Sequence, residues 1–139
     1  MRLWHIDLIP YLPKSQLLAQ WRELNSIFKK QDKHILINYI YNYKEEYLLN
    51  YSTLVNAIMS VNGYKTNLEN FNNYFGEIRF KHLFEIEDCI FREHNHEYLT
   101  ICYYNLKEKY LRGQKDFTKE VWQKLDEFYK KEMLKDAQD

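Results

Sequence analysis

A chain of 139 residues with 20 basic and 20 acidic side chains, 45% hydrophobic and 17% aromatic residues suits one domain and can bury enough Tyr, Phe and Trp surface to exclude disorder. Its three glycines, Gly63, Gly76 and Gly113, stand far apart, which excludes a phosphate-cradling loop or a dinucleotide fingerprint; with only two prolines, turn residues are too few for a sandwich or barrel of short strands. Net charge is zero, so no global field advertises nucleic acid, although residues 1–50 carry seven Lys or Arg against five Asp or Glu and the middle of the chain is acidic. Cys89 and Cys102 are too few for a disulfide framework, and Asp7 interrupts the only early apolar stretch, so a reducing cytoplasm is expected. No apolar run is long enough to cross a bilayer, and no membrane partner is expected.

In chain order, residues 1–13 mix apolar and polar groups without helical period, and Pro10 and Pro13 discourage regular structure, so an irregular segment packed onto the domain is predicted. Ser15 is the expected N-cap of a helix to about Phe28, with Leu17, Trp21, Leu24 and Phe28 on one face and Arg22 and Glu23 pointing away from it. A charged connector follows at residues 29–34; in residues 35–43 helix and strand compete. Tyr47, Leu48, Tyr51, Leu54, Val55 and Ile58 predict a helix over 44–61, stopped by Gly63. Residues 64–93 show no dominant period beyond a short helix from Leu68 to Phe75 broken by Gly76. Asn95 caps a predicted helix with Tyr98, Ile101, Cys102, Asn105 and Leu106 on one side, ended by Gly113. From Thr118, Val121, Leu125, Phe128 and Glu132 define a last helix, broadened by Trp122, Tyr129 and Met133. The result is an all-α fold, a single helical domain over 1–139 without internal repeats.

Groups able to carry chemistry are few. His94 and His96 between Cys89 and Cys102 lack the paired spacing that lets neighbouring ligands meet one metal ion, so buried thiols and cap-region histidines are the better reading and no metal is expected. Neither cysteine neighbours a basic cluster, and no serine sits in a nucleophile elbow. The tyrosine-rich runs over 37–43 and 102–106 suit stacking on bases, but aromatics at such spacing more often fill a core. By residue type alone, Arg22-Glu23 is a charge pair on an exposed helix face.

The stretch Leu17 to Phe28, LLAQWRELNSIF, resembles without a gap the first helix of the pyrimidine-dimer DNA glycosylase family, whose phage member carries a similar aromatic-Arg-Glu-Leu run at the same distance from its start. The opening MRLWHIDLIPYLPKSQLL is similar to the bacterial branch of that family. So are Lys33-His34 followed by Ile37-Asn38-Tyr39, the helix end Asn62-Gly63-Tyr64-Lys65, and the segment Glu93 to Leu99. The resemblance covers about residues 1–105 and leaves the last helix unmatched. It implies a bifunctional glycosylase and abasic-site lyase of DNA repair, acting on pyrimidine dimers in damaged double-stranded DNA without metal or nucleotide cofactor, in which the chain's own N-terminal amine attacks the sugar C1′. Such an α-amine has a pKa near 7.7 to 8, about two to three units below lysine, so an appreciable fraction is nucleophilic at neutral pH. By position Glu23 matches the family's catalytic carboxylate, and Arg22 matches the Arg expected to hold a DNA phosphate.

Two departures shape the expectation. Arg2 is bulky enough to block removal of the initiator, so the α-amine of Met1 is the expected nucleophile, one residue displaced from the phage arrangement. The phage member's second Arg, three residues after the Glu, is Ser26 here, and Arg2, Lys29, Lys30, Lys33 and His34 are the candidates to share the phosphate contacts with Arg22. The catalytic set is therefore Met1 and Glu23. The alternative on the same scaffold is a non-catalytic helical module that binds DNA or protein, favoured by the retained Met1, by Ser26 and by the unmatched last helix. Neither reading fixes an oligomeric state or a preferred lesion.

Overall fold

The computed structural model describes residues 2–81 and 86–138. Among these, six α-helices and no strand are found: α1 (Lys14–Lys30), α2 (Glu45–Val61), α3 (Glu69–Phe75), α4 (Ile78–Lys81), α5 (His96–Leu111) and α6 (Lys119–Gln138). The predicted all-α class is observed. Short 3-10 turns at Ile6–Tyr11, Asn38–Asn42 and Ile86–Asp88 connect them, so the helix-or-strand ambiguity of residues 35–43 resolves into a turn.

The apolar stripe of α1 does what its period demands: Leu17, Trp21, Leu24, Ile27 and Phe28 are all buried, and α1 packs on both α2 and α3. Phe28 sits among Phe71, Tyr74 and Phe75, with ring centroids 5.3 to 6.0 Å apart. At the other end, α6 lies on α5 through stacked rings, Tyr103 against Tyr129 at 3.8 Å and Trp122 against Tyr110 at 5.1 Å. The aromatic runs are thus largely core, although Tyr104 remains 56% exposed.

Three details differ from expectation. Ser15 is not the N-cap: α1 starts at Lys14 after Pro13, and the N–H and hydroxyl of Ser15 both donate to Asp116, at 2.6 and 2.8 Å. A carboxylate from a distant loop thereby serves the positive end of α1. The N-terminal segment is less irregular than predicted, because Ile6, Leu8 and Ile9 bury themselves in a 3-10 turn that accommodates Pro10 and packs on α2 and α6. Helix α5 turns Leu99, Cys102, Tyr103 and Leu106 inward, leaving Ile101 44% exposed. Asn95 caps α5 as expected, accepting from the Tyr98 N–H at 2.9 Å. Gly63, Gly76 and Gly113 all take positive φ at helix ends, where a side chain would be strained.

Candidate active site

Helix α1 carries two polar residues one turn apart, Gln20 and Glu23, on the side that faces the N-terminal segment. Gln20 is 1% exposed among leucines, and Glu23 is half-buried. An amide so deeply placed is costly unless its hydrogen-bonding positions are filled, and here three are filled outright and the fourth shares the Tyr51 hydroxyl proton with the Trp4 carbonyl. Its Oε1 accepts from the Trp4 N–H at 2.8 Å and from the Tyr51 hydroxyl at 3.0 Å. Its Nε2 donates to the Arg2 carbonyl at 3.1 Å and to Glu23 Oε2 at 3.2 Å. The same Glu23 oxygen accepts from the Arg2 N–H at 3.4 Å.

Other elements hold the rest of the segment. Tyr51 of α2, fully buried, donates its one hydroxyl proton mainly to the Trp4 carbonyl at 2.6 Å, the shorter of its two contacts. Tyr98 of α5 donates to the Leu3 carbonyl at 2.5 Å, and the Ile6 N–H donates to His94 Nδ1 at 3.0 Å. From Arg2 to Ile6 the backbone is therefore gripped by side chains of α1, α2, α5 and the loop before α5.

Burial pushes the Glu23 carboxyl above the ordinary carboxylate range, against the opposing pull of the Arg2 N–H, Gln20 and the nearby Arg22 charge. A carboxylate poised upward in this way is suited to passing protons at a developing positive charge. Burial also lowers His94, to about 3, with the neighbouring His5 adding to the effect. His94 is therefore neutral; since Nδ1 accepts from Ile6, its Nε2 carries the proton and points it at the Tyr39 hydroxyl, 2.7 Å away.

The residues singled out in the sequence divide as follows. Glu23 and the backbone of Arg2 meet directly; the Arg2 guanidinium lies 5.7 Å over the ring of Tyr98. Met1 lies outside the described residues. Arg22 is exposed and shares with Lys29 a groove of about 380 Å³, lined also by Trp21, Asn25, Ser26, Asn67 and Asn70. Lys30 is exposed at the last turn of α1. Lys33 and His34 are exposed on the turn beyond it, where His34 Nδ1 accepts from the Leu36 N–H at 3.2 Å. Sequence reasoning missed Gln20, Tyr51, Tyr98 and His94. One signal was available for Gln20, a polar residue between Leu17 and Leu24 on the apolar side of α1. His94 and Cys102 are buried as expected, whereas Cys89 is only half-buried, outside the core, and among the described residues no cluster of His, Cys, Asp and Glu forms a metal site.

No described helix is long and apolar enough to cross a membrane. A sequence model of the family described as pyrimidine dimer DNA glycosylase matches residues 1–72, which span α1, α2 and the gripped N-terminal segment. Neither the curated proteins nor the solved structures provide a significant match.

Proposed function

The chain belongs to the pyrimidine dimer DNA glycosylase family, and from that premise we propose that it acts on pyrimidine dimers in duplex DNA through an imine formed by the α-amine of Met1, with Glu23 as the catalytic carboxylate. The observation that carries this reading is the hydrogen bond from the Arg2 N–H to Glu23 Oε2 at 3.4 Å. Covalent geometry limits the amine of the preceding residue to within about 7 Å of that oxygen.

In this reading the neutral amine attacks C1′ and the C1′–N bond breaks, its electron pair leaving with the base. Glu23 stabilises the positive charge developing on the sugar and receives the proton released by the attacking nitrogen. The nitrogen lone pair then forms the imine as the C1′–O4′ bond breaks, and O4′ takes the proton held by Glu23, which opens the sugar ring. Loss of a C2′ proton then expels the 3′-phosphate by β-elimination. Arg22, with Lys29 beside it in the same groove, is assigned to the phosphates flanking the lesion, and Arg2, Lys30, Lys33 and His34 to phosphates further along. A lesion must be unstacked before the amine can reach C1′, at a cost of a few kcal/mol that these contacts offset.

The test is to incubate the protein with duplex DNA containing one abasic site in the presence of borohydride. A covalent protein–DNA adduct is expected. Binding with no adduct would leave the non-catalytic module as the function of this scaffold.

A further inference from the structure

We propose that Gln20 and Tyr51 are positioning residues that set the register of the N-terminal segment, and thereby the place of the α-amine, relative to Glu23. This inference rests on the amine chemistry proposed above. Leu3, Trp4 and Ile6 are each at most 8% exposed and already anchor the segment by depth. Apolar burial is non-directional, however, and a segment held only by greasy contacts is free to slide along its groove. Hydrogen bonds have direction, and Gln20 and Tyr51 provide them at three successive peptide groups. Gln20 takes the Arg2 carbonyl and the Trp4 N–H, and Tyr51 takes the Trp4 carbonyl.

The two residues are also tied to each other, at 3.0 Å, so the segment is held by one unit spanning α1 and α2. Gln20 further donates to Glu23 at 3.2 Å, which links the grip on the backbone to the orientation of the carboxylate. Among the described residues, the donors to Glu23 are the Arg2 N–H and the Gln20 amide, and both land on Oε2. An aliphatic residue would fill the site of Gln20 without an amide to desolvate. The amide's set of partners, drawn from the segment, Tyr51 and Glu23, matches a residue kept for placement.

The test uses Gln20→Met, which preserves length and removes every hydrogen bond, and Tyr51→Phe, which keeps the ring and removes only the hydroxyl. Two quantities are measured in the full-length protein. One is the rate of borohydride trapping at saturating abasic DNA, alongside the Kd for that DNA. The other, independent of DNA, is the NMR signal and pKa of the α-amine after ¹³C-methylation. Gln20→Met is expected to slow trapping about ten- to a hundredfold with Kd within about twofold, since a displacement near 1 Å is enough for such a loss, and to move the amine signal toward that of an unconstrained peptide. Tyr51→Phe is expected to shift both in the same direction by less, and it decides the matter where Gln20→Met fails to give a cooperative unfolding transition. A folded variant with the wild-type trapping rate and amine signal would overturn the positioning role. Should the wild-type protein form no adduct while Gln20→Met still displaces the amine signal, the imine reading fails and the positioning stands.

Discussion

Glu23 sits where opposing influences meet: burial disfavours its charge, while the Arg2 N–H and the Gln20 amide hold it in place. Replacing it with Gln keeps the shape and removes the charge needed at the developing oxocarbenium, so Glu23→Gln should abolish strand cleavage with circular dichroism barely changed. Cleavage at the wild-type rate would leave Glu23 only its structural contacts with Arg2 and Gln20. The same shift makes a stability statement. A carboxyl raised in the fold contributes stability at low pH that is lost as pH rises through its folded value. The stability of Glu23→Gln relative to wild type should therefore rise from acid to neutral pH; a difference that stays constant or falls over that range would contradict the upward shift. His94 has the opposite sign. Lowered to about 3 in the fold from an ordinary 6.5, it contributes stability that is intact above the ordinary value and lost as pH falls toward the folded one, by up to about 1.4 kcal/mol per pH unit. Urea titrations across that window should show a shallower loss for His94→Asn, and an equal slope in both proteins would contradict the assignment.

At the scale of elements, legibility followed period. Helices α1, α2, α5 and α6 carry apolar stripes long enough to be read directly, and Gly63 and Gly113 mark the ends of α2 and α5, so their spans came within a few residues of the observed ones. What could not be read depends on partners remote in sequence. The N-terminal cap of α1 is Asp116, about a hundred residues away, and no local pattern announces it. Asp116→Ala should cost about 1 kcal/mol, the usual worth of such a cap. Thermal unfolding of this variant beside Asp116→Asn checks the assignment, and an unchanged transition for both would refute it. Burial pushes the Asp116 carboxyl up, but the Ser15 N–H and hydroxyl and Gln114 outweigh it and hold it below its ordinary range, so this contribution should fade as the solution is acidified. The site was legible in the same partial way. Arg22 and Glu23 could be found by resemblance, whereas the grip of Gln20, Tyr51, Tyr98 and His94 on residues 2–6 exists only once four elements have converged.

For the molecule as a whole, zero net charge sets the terms on which a DNA-repair protein meets a polyanion. Steering by a global field is absent, and affinity must come from local cations: Arg22 and Lys29 in one groove, Lys30 at the end of α1, Lys33 and His34 on the turn beyond it, and Arg2 near Tyr98. Four or five phosphate contacts would give a slope near -4 in log affinity against log salt, by the rule of about 0.9 per phosphate neutralised. Replacing Lys29, Lys30 and Lys33 with Ala should flatten that slope and weaken binding to all sequences alike. A slope near zero in the unmodified protein would point to a partner other than DNA. The central claim, that the chain's own α-amine is the nucleophile, has a still more direct test. The borohydride-trapped adduct is digested and the modified peptide identified by mass spectrometry. The account predicts the sugar remnant on the α-nitrogen of Met1, and a remnant on a lysine side chain such as Lys29 or Lys33 would contradict it.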